Sequence, residues 1–334
     1  MNNSKKTLFS AIQPSGQLTL GNYIGVMRPW KKMQNYYTCL YCIADLHSIT
    51  TRCLSVQLQK NILDTIALYL ACGLDPCKSI IFLQSHVHQH TQLYWLLTCY
   101  TYCGELSRMT QFKHKSFQNS KNINSGLLNY PILMASDILL YETDIVPIGY
   151  DQMQHLELVR KIARRFNAYY GSNIFTIPMP YIIENSSNIL ALLDLDRKMS
   201  KSDFNKNNVI FLLESIDSIS KKIKLAVTDS DNPASIHYDM VNKKGISNLL
   251  NIFSSLTNKK ISDLEIEFSG KSYHAFKSDI IEVISDIIEK LQSSYFYYRK
   301  QEDYLKEIVC HGASKACVQA NRLLKTVKLA IGLI

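Results

Sequence analysis

No apolar run in this 334-residue sequence approaches the roughly 20 residues that a membrane-spanning helix needs. The opening residues, MNNSKKTLFS, lack the apolar core of a secretory signal. The expectation is a cytoplasmic protein without membrane contact. Cysteine occurs nine times but forms no disulfide-like framework. Cys39 and Cys42 have redox or metal spacing, yet they lie in the apolar run CLYCIA, where buried thiols are common. No second CxxC completes a four-ligand site, and Cys310 and Cys317 amount to half of one at most. The chain therefore reads as reduced and free of cysteine-bound metal. No internal repeat and no nucleophile–base pair stands out. Two tryptophans against 20 tyrosines read as compositional drift.

What remains is an ordinary globular composition, 46% hydrophobic and 19% charged, in a chain long enough for a large domain and a smaller companion. The net charge of +9 favours an anionic partner, nucleic acid or nucleotide.

Residues 7–12 (TLFSAI) read as a strand ending at the turn Gln13-Pro14-Ser15-Gly16. Gly21 and Gly25 then open a helix running to about Gln34, a place where backbone N–H groups meet phosphate. Strands at 39–44 and 80–84 flank a helix at 57–73, followed by helical spacing over 92–112, an Asn-rich loop at 118–126 and a helix over 132–143. Strands at 144–150 and 173–177 enclose a helix that starts near Gly149 and carries Arg160, Lys161, Arg164 and Arg165 on its solvated face. This rhythm predicts an α/β fold, a doubly wound parallel sheet of Rossmann type, with ligands at the carboxyl ends of its strands. Gln13, Asp45, His47 and His86 fall at such ends. His88 and His90 alternate i, i+2 and are discounted as metal ligands. Asp137 stands among Leu133, Met134, Ile138 and Leu140, where a carboxylate needs a donor, either structural or from a ligand.

Beyond about residue 208 the pattern turns helical, over 209–228, 245–256, 261–268 and 276–299. The predicted division is a catalytic domain at 1–207 with a helical insertion at about 86–140, a smaller all-helical domain at 208–300, and C-terminal helices at 301–334 that pack back on the body. Lys221, Lys222, Lys224, Lys259 and Lys260 are the nucleic-acid candidates of the helical part.

Between the two parts lies Lys198-Met199-Ser200-Lys201-Ser202, followed by Asp203. Two ammonium groups and several backbone N–H donors in such a loop suit a polyphosphate. The pentapeptide matches the KMSKS motif of class I aminoacyl-tRNA synthetases, and PSGQLTLGN upstream resembles their HIGH region, with TLGN in the HIGH position. Read with CIADLHSIT, GELSRMTQFKHKS, LMASDILLYETDIVPIG, DQMQH and VTDSDNP, nearly the whole chain resembles the bacterial tryptophanyl-tRNA synthetases.

That resemblance implies activation of L-tryptophan by ATP, with Mg2+ on the phosphates, and transfer to tRNA(Trp) by a homodimer. The first step is an in-line displacement that needs positioning and charge stabilisation, in keeping with the missing nucleophile–base pair. By position in the matched motifs, Gln13, Pro14, Ser15, Gly21, Asn22, Gly149, Tyr150, Asp151, Ile189 and the loop residues Lys198 to Ser202 fall to ATP. Lys198, Ser200 and Lys201, with Thr19, Lys113 and Lys115, fall to catalysis. Asp137 matches the acceptor of the indole N–H; Phe9, His47, Met134, Val146 and Ile148 line the indole slot, and Gln111, Tyr130 and Gln152 hold the ammonium and carboxylate. Three positions depart from the pattern: Tyr150 stands at a usually acidic place, Met153 at a lysine, and Phe204 at a proline. The rival readings are the sister tyrosyl enzyme, a non-catalytic homologue, and a nucleotidyltransferase acting on a small acid without tRNA.

Overall fold

A computed structural model of the chain describes residues 5–50, 54–118, 123–171, 173–182, 189–201, 203–231 and 233–334, with the backbone alone at 114, 115, 117 and 118. Ser202, the Lys115 side chain and residues 119–122 of the Asn-rich stretch lie outside the described residues.

The first apolar run forms β1 (Thr7–Ile12). Thr19 then caps α1 (Leu20–Asn22), its hydroxyl accepting from Asn22 N at 3.2 Å while Asn22 Oδ1 accepts from Thr19 N at 3.0 Å. The helix continues through a π-helical turn (Tyr23–Met27) into α2 (Arg28–Met33). After β2 (Thr38–Ile43) come α3 (Asp45–Ser48), α4 (Ser55–Ala71) and β3 (Ser79–Leu83). A helical excursion of α5 (Gln89–Thr98), α6 (Cys103–Ser107), α7 (Thr110–Gln118) and α8 (Ser125–Leu139) precedes β4 (Ile145–Ile148), α9 (Met153–Tyr170) and β5 (Met179–Ile182).

The five strands are parallel in the order β3-β2-β1-β4-β5. Chain order reverses between β1 and β4, so the crevice beyond their carboxyl ends is the switch point of a doubly wound sheet. Alternation along the strands feeds two cores. Leu8 and Tyr41 join Trp30 and Tyr69 on one face, while Phe9, Leu40 and Phe82 join Ile132, Leu156 and Phe166 on the other. Trp30 stacks on Tyr41 with centroids 4.5 Å apart. Burying a side chain of such size contributes roughly 1.5–3 kcal/mol.

The C-terminal part comprises α10 (Ile216–Leu225), α11 (Lys244–Thr257), α12 (Ile261–Glu267), α13 (Tyr273–Arg299) and α14 (Glu302–Ile331). The first core runs on without a break into Ile246 and Leu249 of α11 and Ile280 and Ile284 of α13. α14 is one 30-residue helix, not several, and it lies directly on the sheet. A Cβ on its Gly312 would stand 1.8 Å from the carbonyl oxygen of Ile81 in β3.

Several boundaries differ from the sequence reading. The expected helix at 92–112 is broken into α5, α6 and the start of α7, with Tyr102 and Glu105 boxing the start of α6. α8 starts at Ser125, capped by Asn124, and carries Pro131 inside it. Residues 209–213 are not helical, because Leu20 N donates to Ile210 O and Leu212 N to Leu18 O, so this segment pairs with the entry to α1. No strand forms at 173–177: the Asn167 side chain satisfies both backbone groups of Phe175, at 2.9 and 2.8 Å. The strand forms at 179–182 instead, on the sheet edge, where Pro180 is tolerated. On α9, Arg160 donates to Pro178 O at 2.5 Å and Arg165 pairs with Glu105 at 2.7 Å, so these two are not simply solvated.

Candidate active site

A cavity of about 400 Å3 opens at the switch point, where β1 and β4 end. Phe9 of β1, Met134 and Ile138 of α8, and Val146 and Ile148 of β4 give it apolar walls. Gln13, Asn22, His47, Gly149 and Gln152 line its polar side with Gln111, Tyr130 and Lys201, and Asp137 stands against the apolar walls. The volume suits a small aromatic molecule with polar ends.

Asp137 is the most constrained group in this cavity. It is 2% exposed, and its oxygens meet Gln84 Nε2 at 2.7 Å, His90 Nδ1 at 2.7 Å and His47 Nε2 at 2.9 Å. Burial pushes the carboxyl up, but the hydrogen bonds from His47 and His90 outweigh it and hold its pKa far below the ordinary carboxylate range. An ionised carboxylate only accepts, so each of the three partners donates here. His90 Nε2 lies 2.7 Å from the Tyr141 hydroxyl, which extends the chain of bonds behind the carboxylate. His47 is the one member of the three that lines the cavity. The arrangement is a fixed anion in an apolar slot, able to accept one further N–H from a bound ring.

Across the cavity, the Tyr130 hydroxyl meets His155 Nε2 at 2.5 Å and donates to Gln111 Oε1 at 3.3 Å. Burial pushes the Tyr130 hydroxyl well above its usual range, so it stays neutral.

The mouth is built by the two lysine- and glycine-bearing segments. Gly21 faces the loop, for a Cβ there would lie 3.8 Å from Met199 Cβ and 3.9 Å from Ile189 Cβ. The loop is pinned to the segment before it: Met199 N donates to Ile189 O at 2.9 Å, and Leu190 bridges Lys198 antiparallel. Met199 and Ile189 are buried, whereas Lys198 and Ser200 face outward. Lys198 Nζ lies 3.3 Å from Asp151 Oδ1, and Lys201 Nζ donates to Gln13 O at 3.4 Å. Burial raises the Asp151 carboxyl, while Gln152 and Lys198 bring it below its ordinary value. Gly149 leaves room for this pair, since a Cβ would meet Asp151 Oδ1 at 2.7 Å. Behind the loop, buried Asp203 accepts from Asn205 N at 3.0 Å and Asn208 Nδ2 at 3.1 Å.

Thus Gln13, Asn22, Gly149 and Lys201 stand together in the cavity with Phe9, His47, Gln111, Tyr130, Met134, Asp137, Val146, Ile148 and Gln152, the nine residues expected at tryptophan. Pro14, Ser15, Gly21, Asp151, Ile189, Lys198, Met199 and Ser200 lie outside its lining, as do Thr19, whose hydroxyl caps α1, and Tyr150, which is 64% exposed. Lys113 is exposed on α7, two residues beyond Gln111, and does not line the cavity. His86 is exposed and absent from the lining, and Asp45 is a structural tie that accepts from Ser85 N at 3.0 Å. Sequence reasoning missed Gln84, His90 and His155. The spacing of His90 from His88 makes no metal face and gives no other signal; its partner is a carboxylate 47 residues away on α8.

Comparison with known proteins agrees over the whole chain. Residues 1–289 match the family described as tRNA synthetases class I (W and Y). The chain is 60% identical over 334 residues to the tryptophan–tRNA ligase of Buchnera aphidicola subsp. Schizaphis graminum, covering 99% of each. The crystal structure of tryptophanyl-tRNA synthetase from Mycoplasma pneumoniae superposes with a TM-score of 0.91 at 35% identity, covering 98% of both chains. That from Campylobacter jejuni, complexed with ADP and tryptophan, superposes at 0.81 with 32% identity, covering 98% of this chain and 99% of that one.

Proposed function

The chain belongs to the class I tRNA synthetases for tryptophan and tyrosine, and on that premise we propose the following division of labour among its residues. The chain activates L-tryptophan with ATP and transfers it to the 3′ end of tRNA(Trp). The observation that carries the choice of tryptophan is the caged Asp137 carboxylate in an apolar slot. Indole has one polar atom, an N–H, and a carboxylate with no proton to give is its complement. A slot built around that bond rejects side chains that cannot make it.

In the first step a carboxylate oxygen of tryptophan attacks the α-phosphorus of ATP. The bond from that phosphorus to the bridging oxygen breaks, and pyrophosphate leaves with the electron pair. Gln111, Tyr130 and Gln152 hold the ammonium and carboxylate; Phe9, His47, Met134, Val146 and Ile148 hold the ring. Gln13, Pro14, Ser15, Gly21 and Asn22 take the nucleotide at the end of β1, and Gly149, Tyr150, Asp151 and Ile189 take its ribose and adenine. Lys198 and Lys201, with Met199, Ser200 and Ser202 of the same loop and with Lys113 and Lys115 of α7, stabilise charge developing on pyrophosphate. Thr19 acts by holding the start of α1. In the second step the terminal hydroxyl of the tRNA attacks the activated carbonyl and AMP leaves.

Mg2+ neutralises phosphate charge when it is bound. The ion is proposed to arrive on the nucleotide; among the described residues no group of three or more His, Cys, Asp or Glu could hold a metal ion. The net charge of +9 supports tRNA as the partner, and Lys221, Lys224 and Lys260 of the helical part are exposed to meet it. Lys222 is not, since it is buried against Glu214 at 2.5 Å and Val209 O at 2.7 Å. Lys259 is held by Glu267 at 2.6 Å. The proposed division is catalytic at 1–207 with a helical insertion at about 86–140, tRNA-reading at 208–300 and C-terminal at 301–334. The working unit is a homodimer in the cytoplasm; among the described residues no helix is long and apolar enough to cross a membrane.

The test is charging of a tRNA(Trp) transcript by the full chain with ATP and Mg2+. Tryptophan should appear on the tRNA and depend on an intact terminal adenosine. Formation of adenylate without charged tRNA would leave the nucleotidyltransferase reading in its place.

A further inference from the structure

α11 carries no residue of the cavity, yet it holds both segments that form the cavity's mouth. Asn248, 1% exposed on α11, aims its whole carboxamide at one residue of the catalytic part. Its Oδ1 accepts from Leu190 N at 2.9 Å and its Nδ2 donates to Leu190 O at 3.1 Å. Leu190 is the residue that bridges Lys198, and on either side of it Ile189 O accepts from Met199 N at 2.9 Å and Ala191 N donates to Arg197 O at 2.8 Å. One side chain thus fixes the strip of backbone on which the lysine loop is laid.

The other end of α11 is tied to the other half of the mouth. Arg28, at the start of α2 and continuous with the helix that Thr19 caps, donates to Leu256 O at 2.7 Å. The N-terminal end of α11 is itself anchored. Lys243, 8% exposed, pairs with Asp229 and Asp231 and donates to Ser235 O at 3.1 Å. Gly245 lies so close to Val227 that a Cβ would stand 2.2 Å from its carbonyl oxygen. An exposed pair, Lys244 with Asp196 at 2.6 Å, adds a second link to the stretch that leads into the loop. A buried carboxamide satisfying both backbone groups of one residue is a directional clamp: shifting α11 shifts Leu190, and with it the strip that carries Lys198.

We propose that Asn248 is a positioning residue for adenylate formation, setting Lys198 and Lys201 against the nucleotide through Leu190. The inference rests on the assignment of Lys198 and Lys201 to ATP made above. α11 is then the part through which the helical region and the ATP loop share one geometry. Asn248 lies outside the cavity lining, and its effect is confined to the step that uses the loop.

The experiment compares the full-length chain with Asn248→Ala and Asn248→Asp. The aspartate keeps the acceptor for Leu190 N and loses the donor to Leu190 O. Tryptophan-dependent ATP–pyrophosphate exchange gives KM and kcat for ATP; equilibrium dialysis gives tryptophan affinity; hydrogen exchange reports on residues 189–201. Expected are a loss on the order of tenfold or more in kcat/KM for ATP, tryptophan affinity within about twofold, and faster amide exchange at 189–201 with β1 to β4 unaltered. Unchanged ATP kinetics, or an equal loss of tryptophan affinity, would overturn the proposal, as would unaltered exchange at 189–201. If Asn248→Ala does not fold, the same readouts on Asn248→Asp decide the matter. If the unaltered chain shows no tryptophan-dependent exchange, the reading of the site fails, and that outcome is distinct from an unaltered chain that works beside a variant that works equally well.

Discussion

Lys198 Nζ rests 3.3 Å from Asp151 Oδ1, a pair drawn from two segments 47 residues apart and half-exposed on both sides. The lysine proposed to meet pyrophosphate is thus parked on the carboxylate proposed to meet the ribose. Both groups face solvent, so the pair is weak and readily exchanged for a polyphosphate. Its companion Lys201 rests on the Gln13 carbonyl at the end of β1. The two ammonium groups hold the mouth through contacts that a nucleotide outcompetes.

Lys201→Ala is accordingly expected to lower kcat for adenylate formation by about 10- to 1000-fold, as losing a charged group aimed at the transition state does. The tryptophan KM should stay within a few-fold. Steady-state exchange kinetics read both, and an equal loss in the two would point to a damaged fold.

Asp137→Ala removes the acceptor of the slot and leaves Gln84 and His90 donors buried without it. The tryptophan KM should rise about 10- to 100-fold, the range for a hydrogen bond to a charged group. ATP affinity should change little. Titration of each substrate at saturating levels of the other separates the two effects.

His90 sets the pH range of the same carboxylate. Burial favours the protonated Asp137, and donation from His47 and His90 reverses this, holding the pKa low. A depressed native pKa contributes stability that is present above the ordinary carboxylate value and is lost as pH falls through the native one. In His90→Leu one donor is gone and the pKa rises. The acid limb of kcat/KM for tryptophan should therefore move to higher pH, while the limb for ATP binding stays in place. A pH–rate profile carried from neutrality down to the lowest pH at which both proteins stay folded measures it, and coincident profiles would remove His90 from this role.

Gly312→Ala tests the seat of α14. The added methyl would sit 1.8 Å from the Ile81 carbonyl oxygen, so helix and strand must part. Overpacking of this kind costs about 1–3 kcal/mol. Urea unfolding should show an earlier midpoint, with tryptophan affinity preserved under native conditions, because Gly312 lies outside the cavity lining.

Much of this was legible in the residues. β1, β2 and β3 announced themselves as apolar runs ending in polar residues, and their ends do carry Gln13 and His47 into the cavity. The lysine loop and the glycine-bearing helix start were readable because their chemistry is local. What was hidden depended on distant partners. The run NIFTI alternates like a strand, but Asn167 takes the bonds that a neighbouring strand would have supplied. Residues 209–213 have helical spacing, but Leu18 and Leu20 offer them a ladder. Gln84 and His90 became part of the site only when α8 brought Asp137 over β3, a tertiary event that no spacing in the sequence encodes.

In the proposed site, Asp137 and its donors select an indole. This selection is tested most directly by ATP–pyrophosphate exchange with the unaltered chain and Mg2+, without tRNA, offering tryptophan, tyrosine and phenylalanine in turn. Exchange is expected with tryptophan, and background rates with the other two. Exchange driven by tyrosine at a comparable rate would contradict it.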